Sequence, residues 1–600
     1  MTRANKPQSF VRTNEVLLKA ESTWLHFANP HRVILAQKQD EVIPALLEIE
    51  RLTQDNDWHA AGFVSYEAAS AFDLALRTRA SDAPPDENLP LRPIDGDFPL
   101  LWFGLYSAPE WISEIGDPHD NSTSRLNWKP TIDRETYNKA IEQIRSHIAD
   151  GRTYQVNYTM RLQTDFTGSE WDFFLHLTQN QNKHAAYIDI GRYVICSASP
   201  ELFFQLDGDR IICQPMKGTV KRGRTTLEDE LQSQWLKSSE KNRAENVMIV
   251  DMIRNDVGRI AKLGSVEVPH LFDTERYSTL WQMTSTVTAK TSESLTEIFT
   301  ALFPCASITG APKVRTMKII TALESTPRKI YTGSIGYVAP NRKASFNVAI
   351  RTGLIDRESK QAEYGVGGGI VWDSTSGDEY EEALLKARVL TEQTPQFSLL
   401  ETLLWTPDHG FFLRKKHVER MLDSANYFNF PILEKDIDRY LDKLSSTFDS
   451  PQRVRLLLHK TGELNSEAKS FHPVQHTSPL KVKLAREPIE TDNIFLFHKT
   501  THRKVYDMAR QGCTDCDDVL LYNDRGELTE FTIGNLVVEF EGKLYTPPLS
   551  SGLLAGTFRS HLLDIGQISE RSILAEELKV FTRIFMINSV RKFQGVGVDV

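Results

Sequence analysis

Glycine-containing segments between residues 304 and 382 constrain this chain more than any other feature. They cover 304–317, 333–337 and 365–369, with Arg351 and the acidic run 379–382 among and after them. Glycine turns let backbone amides approach a ligand closely. A small polyanion that binds together with a divalent metal requires such amides, with cations and carboxylates beside them. The sequence therefore predicts an anion and metal site in this part of the chain.

Length and composition limit the remaining possibilities. The chain has 600 residues, more than one hydrophobic core usually supports, so we expect at least two domains. A net charge of −10 argues against a nucleic acid or a membrane surface as the main partner. The first residues lead into no apolar signal segment, and no stretch approaches the ~20 apolar residues of a membrane span. Five scattered cysteines favour a cytoplasmic protein without a disulfide framework, and the CxxC pair Cys513 and Cys516 lacks partners for zinc.

Three polar side chains upstream lie at the ends of predicted elements. Glu201 follows Ser-Pro between two predicted strands, where it is either a solvated carboxylate or a general acid or base. Lys217 follows a strand and precedes Gly-Thr. Such a lysine is usually a solvated charge, but turn amides bind carboxylates and partial desolvation makes a lysine nucleophilic. Glu245 begins a predicted helix over 245–256, where helix capping is the simpler interpretation.

An acidic pair near residue 380 indicates a metal more clearly. Glu379, Glu382 and Lys386 have the spacing i, i+3 and i+7, so a helix places all three on one face. Two carboxylates on one face repel each other unless a cation lies between them. Lys386 is one candidate for that cation, in an ordinary surface ladder, and Mg²⁺ is the other.

Eight segments, taken together and in this order, resemble the chorismate-utilising enzymes, a family that includes anthranilate, isochorismate and aminodeoxychorismate synthases. The segments are 199–201, 215–219, 244–256, 310–313, 336–337, 350–352, 365–369 and 379–382. The resemblance implies an α/β (α+β) fold, a two-sheet sandwich with helices outside, which binds Mg²⁺ and chorismate between the sheets. It implies that Glu201 is the general acid or base and that Glu245, Glu379 and Glu382 bind the metal. The carboxylate binders that it implies are Gly218, Thr219, Tyr337, Arg351, Gly367, Gly368 and Lys386.

Lys217 distinguishes between branches of this family. Anthranilate synthases have alanine there, and they have histidine where this chain has Gln282. The lysine resembles the aminodeoxychorismate branch, in which it attacks a ring carbon before ammonia adds at C4. The chain has no Gly-x-Cys-x-Gly nucleophile loop, so the ammonia is expected from a separate glutamine amidotransferase subunit or from solution. There are two alternatives. One is a synthase of the anthranilate type fused to an aminotransferase, and the other is a degenerate synthase domain that only binds the amidotransferase.

The last third of the chain has a different set of motifs. Lys499 is predicted at the end of an apolar strand, Glu530 precedes Asn535 by five residues, and Gly556-Thr557 opens a helix. A pyridoxal 5'-phosphate site needs a lysine, an acid for the pyridinium nitrogen and a helix N-terminus for the phosphate. This order resembles the fold-type IV pyridoxal-phosphate enzymes. That resemblance implies Lys499 as the Schiff-base lysine, Glu530 as the pyridinium partner, and phosphate binding by Arg420, Gly556 and Thr557.

These resemblances predict two domains and two activities. The first domain covers 1–392, with an N-terminal part over 1–130 and a catalytic part over 131–392, and the second covers 397–600. The motifs of the second domain do not separate a lyase from an aminotransferase. Its fusion to the first domain favours a lyase that eliminates pyruvate and leaves 4-aminobenzoate for folate. Related lyases pair their subunits, so a homodimer is expected.

Overall fold

A computed structural model describes residues 12–79, 98–118, 126–179, 183–391, 395–472, 479–511, 513 and 515–599. The chain forms two compact units. The first consists of Met1–Lys221 and Ser233–Thr394, and the second of Arg222–Gln232 and Pro395–Val600. The predicted boundary, between 392 and 397, includes residues outside the described ranges. The sequence did not predict that Arg222–Gln232 would group with the last third of the chain.

The strands of the first unit are β1 Val16–Ala20, β2 Thr23–Phe27, β3 Arg32–Ala36, β4 His59–Val64, β5 Leu101–Tyr106, β6 Glu110–Ile112, β7 Lys129–Pro130, β8 Gln155–Asp165, β9 His184–Asp189, β10 Tyr193–Ser199, β11 Leu202–Asp207, β12 Arg210–Gln214, β13 Met216–Lys221, β14 Glu267–Arg276, β15 Leu280–Lys290, β16 Gly310–Ala311, β17 Ser334–Ala339, β18 Lys343–Val348, β19 Thr352–Asp356 and β20 Gln361–Ile370. The helices up to residue 391 are α1 Gln39–Asp55, α2 Ala69–Phe72, α3 Arg134–Ala149, α4 Glu170–Thr178, α5 Thr226–Ser238, α6 Glu240–Gly258, α7 Leu295–Leu302, α8 Lys313–Leu323 and α9 Ser376–Lys386. Helix α5 begins in the segment Arg222–Gln232.

These strands form two antiparallel sheets. One has the order β16-β8-β20-β19-β10-β9-β1-β2-β6, with β7 beside β8, and the other has the order β13-β15-β12-β11-β18-β17-β4-β5-β3, with β14 beside β15. One apolar core packs α3, α4 and α9 on the first sheet, and a second packs α1, α6 and α7 on the other. A third core draws residues from both sheets, so it lies between them. The predicted two-sheet sandwich with helices outside is confirmed.

Strand β8 is apolar on one face and polar on the other, because successive side chains of a strand point to opposite faces. Val156, Tyr158 and Met160 join the core with α3 and α9. Gln155 and Asn157 alternate with them and are also buried. The sandwich therefore contains a polar region, which begins at the first residue of β8.

The strands of the second unit are β21 Leu399–Thr406, β22 Gly410–Phe411, β23 Gln452–Leu458, β24 Leu464–Ser470, β25 Leu480–Leu484, β26 Asp518–Tyr522, β27 Leu528–Phe531, β28 Asn535–Phe540, β29 Lys543–Thr546, β30 Ser569–Glu570, β31 Arg583–Asn588 and β32 Lys592–Asp599. Its helices after residue 395 are α10 Arg414–Phe428, α11 Glu434–Ser445, α12 Lys504–Gln511 and α13 Thr557–Asp564. One sheet has the order β22-β21-β23-β24, and the other has the order β27-β26-β25-β32-β31-β28-β29-β30. Apolar cores pack α10 and α11 on the smaller sheet and α13 on the larger one.

The segment Arg222–Gln232 is bound into the second unit by buried polar contacts. Arg222 Nε lies 2.5 Å from Asp229 Oδ1, and an Arg222 guanidinium N–H donates to the carbonyl of Tyr427 at 3.1 Å. The Tyr427 hydroxyl donates to the carbonyl of Gly223 at 2.6 Å, and the Arg222 guanidinium stacks on the Tyr427 ring. His498, beside Lys499, has its Nε2 3.2 Å from the carbonyl oxygen of Arg224. This segment therefore contacts the residue that directly precedes Lys499.

Two further sequence expectations can be compared with the structure. Within the described ranges, no helix is long and apolar enough to cross a membrane. Cys513 and Cys516 have their Cα atoms 5.8 Å apart, whereas Cys196, Cys213 and Cys305 are buried and free. A pair three residues apart is local, so the absence of a disulfide framework stays a prediction.

Candidate active sites

Glu201 lies in the turn between β10 and β11 and is only 4% exposed. Burial raises the pKa of its carboxyl from the ordinary 4.5 to about 7, and hydrogen bonds from Ser307 and the Met216 backbone, with the charge of Lys217, oppose that rise. Its Oε1 has no hydrogen-bond partner among the described residues. A buried carboxyl that holds its proton near neutral pH, with one free oxygen, is suited to general acid or base catalysis.

Lys217 lies in β13, a strand that begins directly after the strand and proline seen in the sequence. Its Nζ is 3.6 Å from Glu245 Oε2, and both side chains are about one fifth exposed. A Cβ added at Gly369, on β20, would lie 2.8 Å from that Nζ. The fold thus brings together the lysine, a carboxylate and a glycine that are far apart in sequence.

Glu245 is not the cap of its helix. Helix α6 begins at Glu240, and the hydroxyl of Ser239 accepts the capping hydrogen bond from Asn242 N–H. The prediction that the helix starts at Glu245 is therefore wrong, and so is the capping interpretation, because Glu245 lies beyond the first turn. Its side chain instead approaches Lys217.

Glu379 and Glu382 share a face of α9, as their spacing predicted. A Cβ at Gly368 would lie 3.2 Å from Glu379 Oε2 and 4.0 Å from Glu382 Oε1. Burial, together with the charge of Glu382, raises the pKa of Glu379, whereas the ammonium of Lys386 lowers the pKa of Glu382. Lys386 Nζ lies 2.8 Å from Glu382 Oε1 and donates to the carbonyl of Gly367 at 2.9 Å. Lys386 thus pairs with Glu382 and offsets only part of the charge of the two carboxylates.

The carboxylates fit a hard divalent cation by their chemistry, because Mg²⁺ binds carboxylate oxygens and retains water. The mutual repulsion of Glu379 and Glu382 is the condition that such a cation would relieve. However, no group of three His, Cys, Asp or Glu side chains in the described ranges is arranged to hold a metal ion. Glu245 pairs with Lys217 and Glu382 with Lys386. The metal role of the three glutamates therefore stays a prediction.

The turn predicted at Gly218 is instead part of β13, with a shift in strand register between Met216 and Thr219, and Gln282 holds it. Gln282 Nε2 donates to the Gly218 carbonyl at 2.8 Å, and the Thr219 hydroxyl donates to Gln282 Oε1 at 3.0 Å. Gly218 has φ +100, and a Cβ there would lie 3.1 Å from Asn242. Both the backbone conformation and the close approach of Asn242 therefore require glycine.

Arg351 is partly buried, and burial lowers the pKa of its guanidinium. It interacts electrostatically with Tyr277, which also interacts with Glu201. A desolvated guanidinium in this position is suited to binding a carboxylate bidentately. Its predicted role is compatible with this position.

Tyr337 is not brought to these residues. It lies on β17, and its ring packs on Phe27 with the ring centres 6.2 Å apart, beside the core between the sheets. Tyr331 lies closer to the glycines, since a Cβ at Gly365 would collide with its ring. The predicted carboxylate role of Tyr337 has no support from this position, because strand register, which the motif does not reveal, decides where the ring points.

Sequence reasoning also missed Ser307 and Gln155. Ser307 hydrogen-bonds Glu201, and a Cβ at Gly369 would lie 2.7 Å from Gln155 Nε2. A polar residue within a buried apolar strand was the available signal for Gln155. No local pattern marked Ser307.

The second unit contains a buried lysine of unusual acidity. Burial, reinforced by the positive charge of Arg420, lowers the pKa of Lys499 from 10.5 to about 8. The prediction that Lys499 ends a strand is wrong. It follows the 3-10 turn Ile494–Leu496, and its carbonyl accepts from Leu400 N–H at 2.9 Å. The apolar run that suggested a strand is buried in a turn instead, so its apolar character reflects burial rather than strand pairing.

Glu530, on β27, is also buried, which raises the pKa of its carboxyl to about 7. Its Oε1 accepts from the Tyr506 hydroxyl at 2.7 Å, and its Oε2 accepts from Asn535 Nδ2 at 3.2 Å. Glu530 and Asn535 pair across a tight turn. Glu530 and Asn535, five residues apart in the sequence, therefore belong to one hairpin, which holds the Glu530 carboxyl in place.

Helix α13 begins at Thr557, with Gly556 as its N-cap, as predicted. Arg420 donates to the carbonyl of Ala555 at 3.0 Å, while two of its nitrogens lie 2.7 and 2.8 Å from the Glu401 carboxylate. The Thr557 hydroxyl lies 3.2 Å from His417 Nε2. A guanidinium fixed beside a helix N-terminus, with a buried lysine and a buried acid in the same unit, fits pyridoxal phosphate.

Comparison with known proteins gives two family matches. A model described as chorismate binding enzyme matches residues 13–392, and a model of class IV amino-transferases matches residues 398–597. The class IV match implies pyridoxal phosphate for the second unit.

Individual relatives match about half of the chain. Aminodeoxychorismate synthase component 1 of Escherichia coli is 38% identical over 287 residues, 47% of this chain and 63% of that protein. An anthranilate synthase component 1 of Haloarcula marismortui is 38% identical over 287 residues, 47% of this chain and 58% of that protein. The chain thus spans less than two thirds of the length of the curated relatives that it matches.

Among solved structures, anthranilate synthase component I from Streptococcus pneumoniae TIGR4 has a TM-score of 0.51 and 24% identity, covering 65% of this chain and 95% of its own. This likeness supports the fold. The first family model covers more than half of the chain, over the same residues that form the two-sheet sandwich. The chain therefore belongs to the chorismate-binding enzyme family.

Proposed function

We propose that the chain makes 4-aminobenzoate from chorismate in two steps, an aminodeoxychorismate synthase reaction in the first unit and a lyase reaction in the second. The observation that carries the first step is the position of Lys217, beside Glu245 and Gly369 and near the buried Glu201. An anthranilate-type reaction does not need a nucleophile there. Lys217 is therefore the residue that favours the aminodeoxychorismate branch.

In the first step, Lys217 Nζ adds to a ring carbon of chorismate while the 4-hydroxyl departs with a proton from Glu201. Ammonia then adds at C4 and Lys217 leaves, so the balance is chorismate plus ammonia to 4-amino-4-deoxychorismate plus water. Arg351 and the amides of Gly218 and Thr219 would position the carboxylates. Mg²⁺, held by Glu245, Glu379 and Glu382, would neutralise the ring carboxylate.

Ammonia would come from a separate glutamine amidotransferase subunit or from solution. The relative from Escherichia coli is named a component 1, which supports a partner subunit. We also propose that the protein is cytoplasmic. Two copies would pair through the second unit to form a homodimer.

In the second step, the product loses pyruvate and becomes 4-aminobenzoate. Pyridoxal phosphate supplies an electron sink for the carbanion formed next to the amino group. Lys499, with a pKa of about 8, exists partly as the free amine near neutral pH and can accept a proton from that carbon. Glu530 would hold the pyridinium nitrogen, and Arg420 with the amides of Gly556 and Thr557 would hold the phosphate.

Incubation with chorismate, an ammonium salt, Mg²⁺ and pyridoxal phosphate tests the proposal. We expect 4-aminobenzoate and pyruvate in equal amounts. Anthranilate as the product would contradict the branch, and accumulated aminodeoxychorismate would contradict the lyase step. A Lys217→Ala variant should lose aminodeoxychorismate formation but retain chorismate binding, whereas unchanged turnover would refute the nucleophilic role.

A further inference from the structure

Gln155 carries a buried side-chain amide. It is the first residue of β8, its side chain is 0% exposed, and neither Oε1 nor Nε2 has a partner among the described residues. Buried polar groups are nearly always paired in folded proteins. An unpaired amide lowers stability, so the position calls for a ligand that completes it.

The surroundings of Gln155 aim its amide at the first active site. A Cβ added at Gly369 would lie 2.7 Å from Gln155 Nε2 and 2.8 Å from Lys217 Nζ, so the two nitrogens converge on one point of β20. Behind it, a Cβ at Gly310 would collide with the carbonyl oxygen of Gln155. The lack of side chains at Gly369 and Gly310 thus leaves room around Gln155. Gly369 leaves room on the side of Lys217, and Gly310 leaves room at the backbone carbonyl of Gln155.

Other polar groups on the same strand differ from Gln155 because they are paired within the protein. The Thr159 hydroxyl donates to Glu324 Oε1 at 2.8 Å, and the Arg161 guanidinium donates to the Thr159 hydroxyl at 2.9 Å. These groups therefore have a structural function. Gln155 does not take part in that network.

We propose that Gln155 is a substrate-positioning residue, whose amide nitrogen donates a hydrogen bond to an oxygen substituent of the cyclic substrate beside the ring atom that Lys217 attacks. This inference rests on the proposed function of the first unit. Two nitrogen donors on either side of the Gly369 face suit an oxygen-bearing ring. A primary amide does not ionise near neutral pH, so it orients the ring without competing with Glu201 for a proton.

The test compares Gln155→Leu with Thr296→Val. Thr296, on α7, also has a buried hydroxyl without a partner among the described residues, so it is a matched control outside the site. We expect Gln155→Leu to lower kcat/KM for chorismate at least tenfold while its Tm stays equal to or above that of the wild type. Thr296→Val should leave kcat/KM unchanged with a similar Tm.

Every outcome of this comparison either supports or refutes the role of Gln155. Unchanged kcat/KM in Gln155→Leu overturns the proposal, and so does a fall in both kcat/KM and Tm, which indicates a structural amide. If Gln155→Leu does not fold, the unbranched Gln155→Met is measured instead, and failure of both to fold also refutes the idea. A wild-type protein that does not consume chorismate refutes the proposed function itself, and the inference about Gln155 falls with it.

Discussion

Glu201 should make both the stability and the activity of the protein depend on pH. Its carboxyl has a pKa of about 7 in the folded chain and an ordinary value of 4.5, and the cause is burial. A raised pKa means that the folded state binds the proton more tightly. The stability that this residue contributes is therefore fully present below pH 4.5 and is lost as the pH rises through 7.

The size of this effect follows from the two pKa values. A tenfold change in proton affinity is worth about 1.4 kcal/mol, so ionising the buried carboxyl costs on the order of 3 kcal/mol above pH 8. Glu201→Gln removes the ionisation but keeps the shape. We expect the variant to gain about 3 kcal/mol of unfolding free energy relative to the wild type between pH 5 and pH 8.5, measured by urea titration at both values.

The activity of the wild type should fall over the same pH range. As a general acid, Glu201 must carry a proton, and at pH 8 only about one tenth of the carboxyls with a pKa of about 7 do so. We expect kcat/KM for chorismate to fall about tenfold per pH unit above pH 7 and to be lost at every pH in Glu201→Gln. Glu67→Gln is the control, because Glu67 also has a pKa of about 7 from burial but binds the backbone amides of Arg328 and Lys329. It should retain the wild-type pH profile of activity. A stability difference that does not change with pH, or a rate that rises with pH above 7, would refute the reasoning.

Three further predictions concern the metal, the cofactor and the segment bound into the second unit. Glu382→Gln should raise the Mg²⁺ concentration needed for half-maximal chorismate turnover at least tenfold, while Glu381→Gln, which removes only an exposed pair with Arg134, should not; equal requirements would count against the metal role. Lys499→Ala should abolish the visible absorbance band of protein given pyridoxal phosphate, whereas in the wild type the rate of band formation should rise with pH through about 8; a band in the variant would contradict the Schiff base. Asp229→Ala leaves Arg222 buried without its carboxylate and should cost about 3–5 kcal/mol in urea unfolding. Glu228→Ala breaks the more exposed pair with Arg224 and should cost less than about 1 kcal/mol, so equal losses would contradict the buried pair.

The sequence by itself predicted the elements and their chemistry wherever the signal is local. The spacing of Glu379, Glu382 and Lys386 indicated the helix that became α9. The shared face of Glu379 and Glu382 and the helix opened by Gly556-Thr557 followed from spacing alone. These features are set within a few residues, so no distant contact was needed to infer them.

The tertiary structure decided what depends on distant pairing. The pairing of β8 with β20 brings Gln155 near Gly369, and the packing of the two sheets brings Lys217 to the same glycine. The position of Tyr337 on β17 packs its ring on Phe27 instead, and the motifs themselves encode neither outcome. Burial, which the sequence does not specify for a single side chain, moves the pKa of Glu201 up and that of Lys499 down. The grouping of Arg222–Gln232 with the second unit depends on contacts across about 200 residues of chain. The types of the site residues are therefore known from the sequence alone. Their pKa values depend on the distant groups that the fold brings near them and on the exclusion of water.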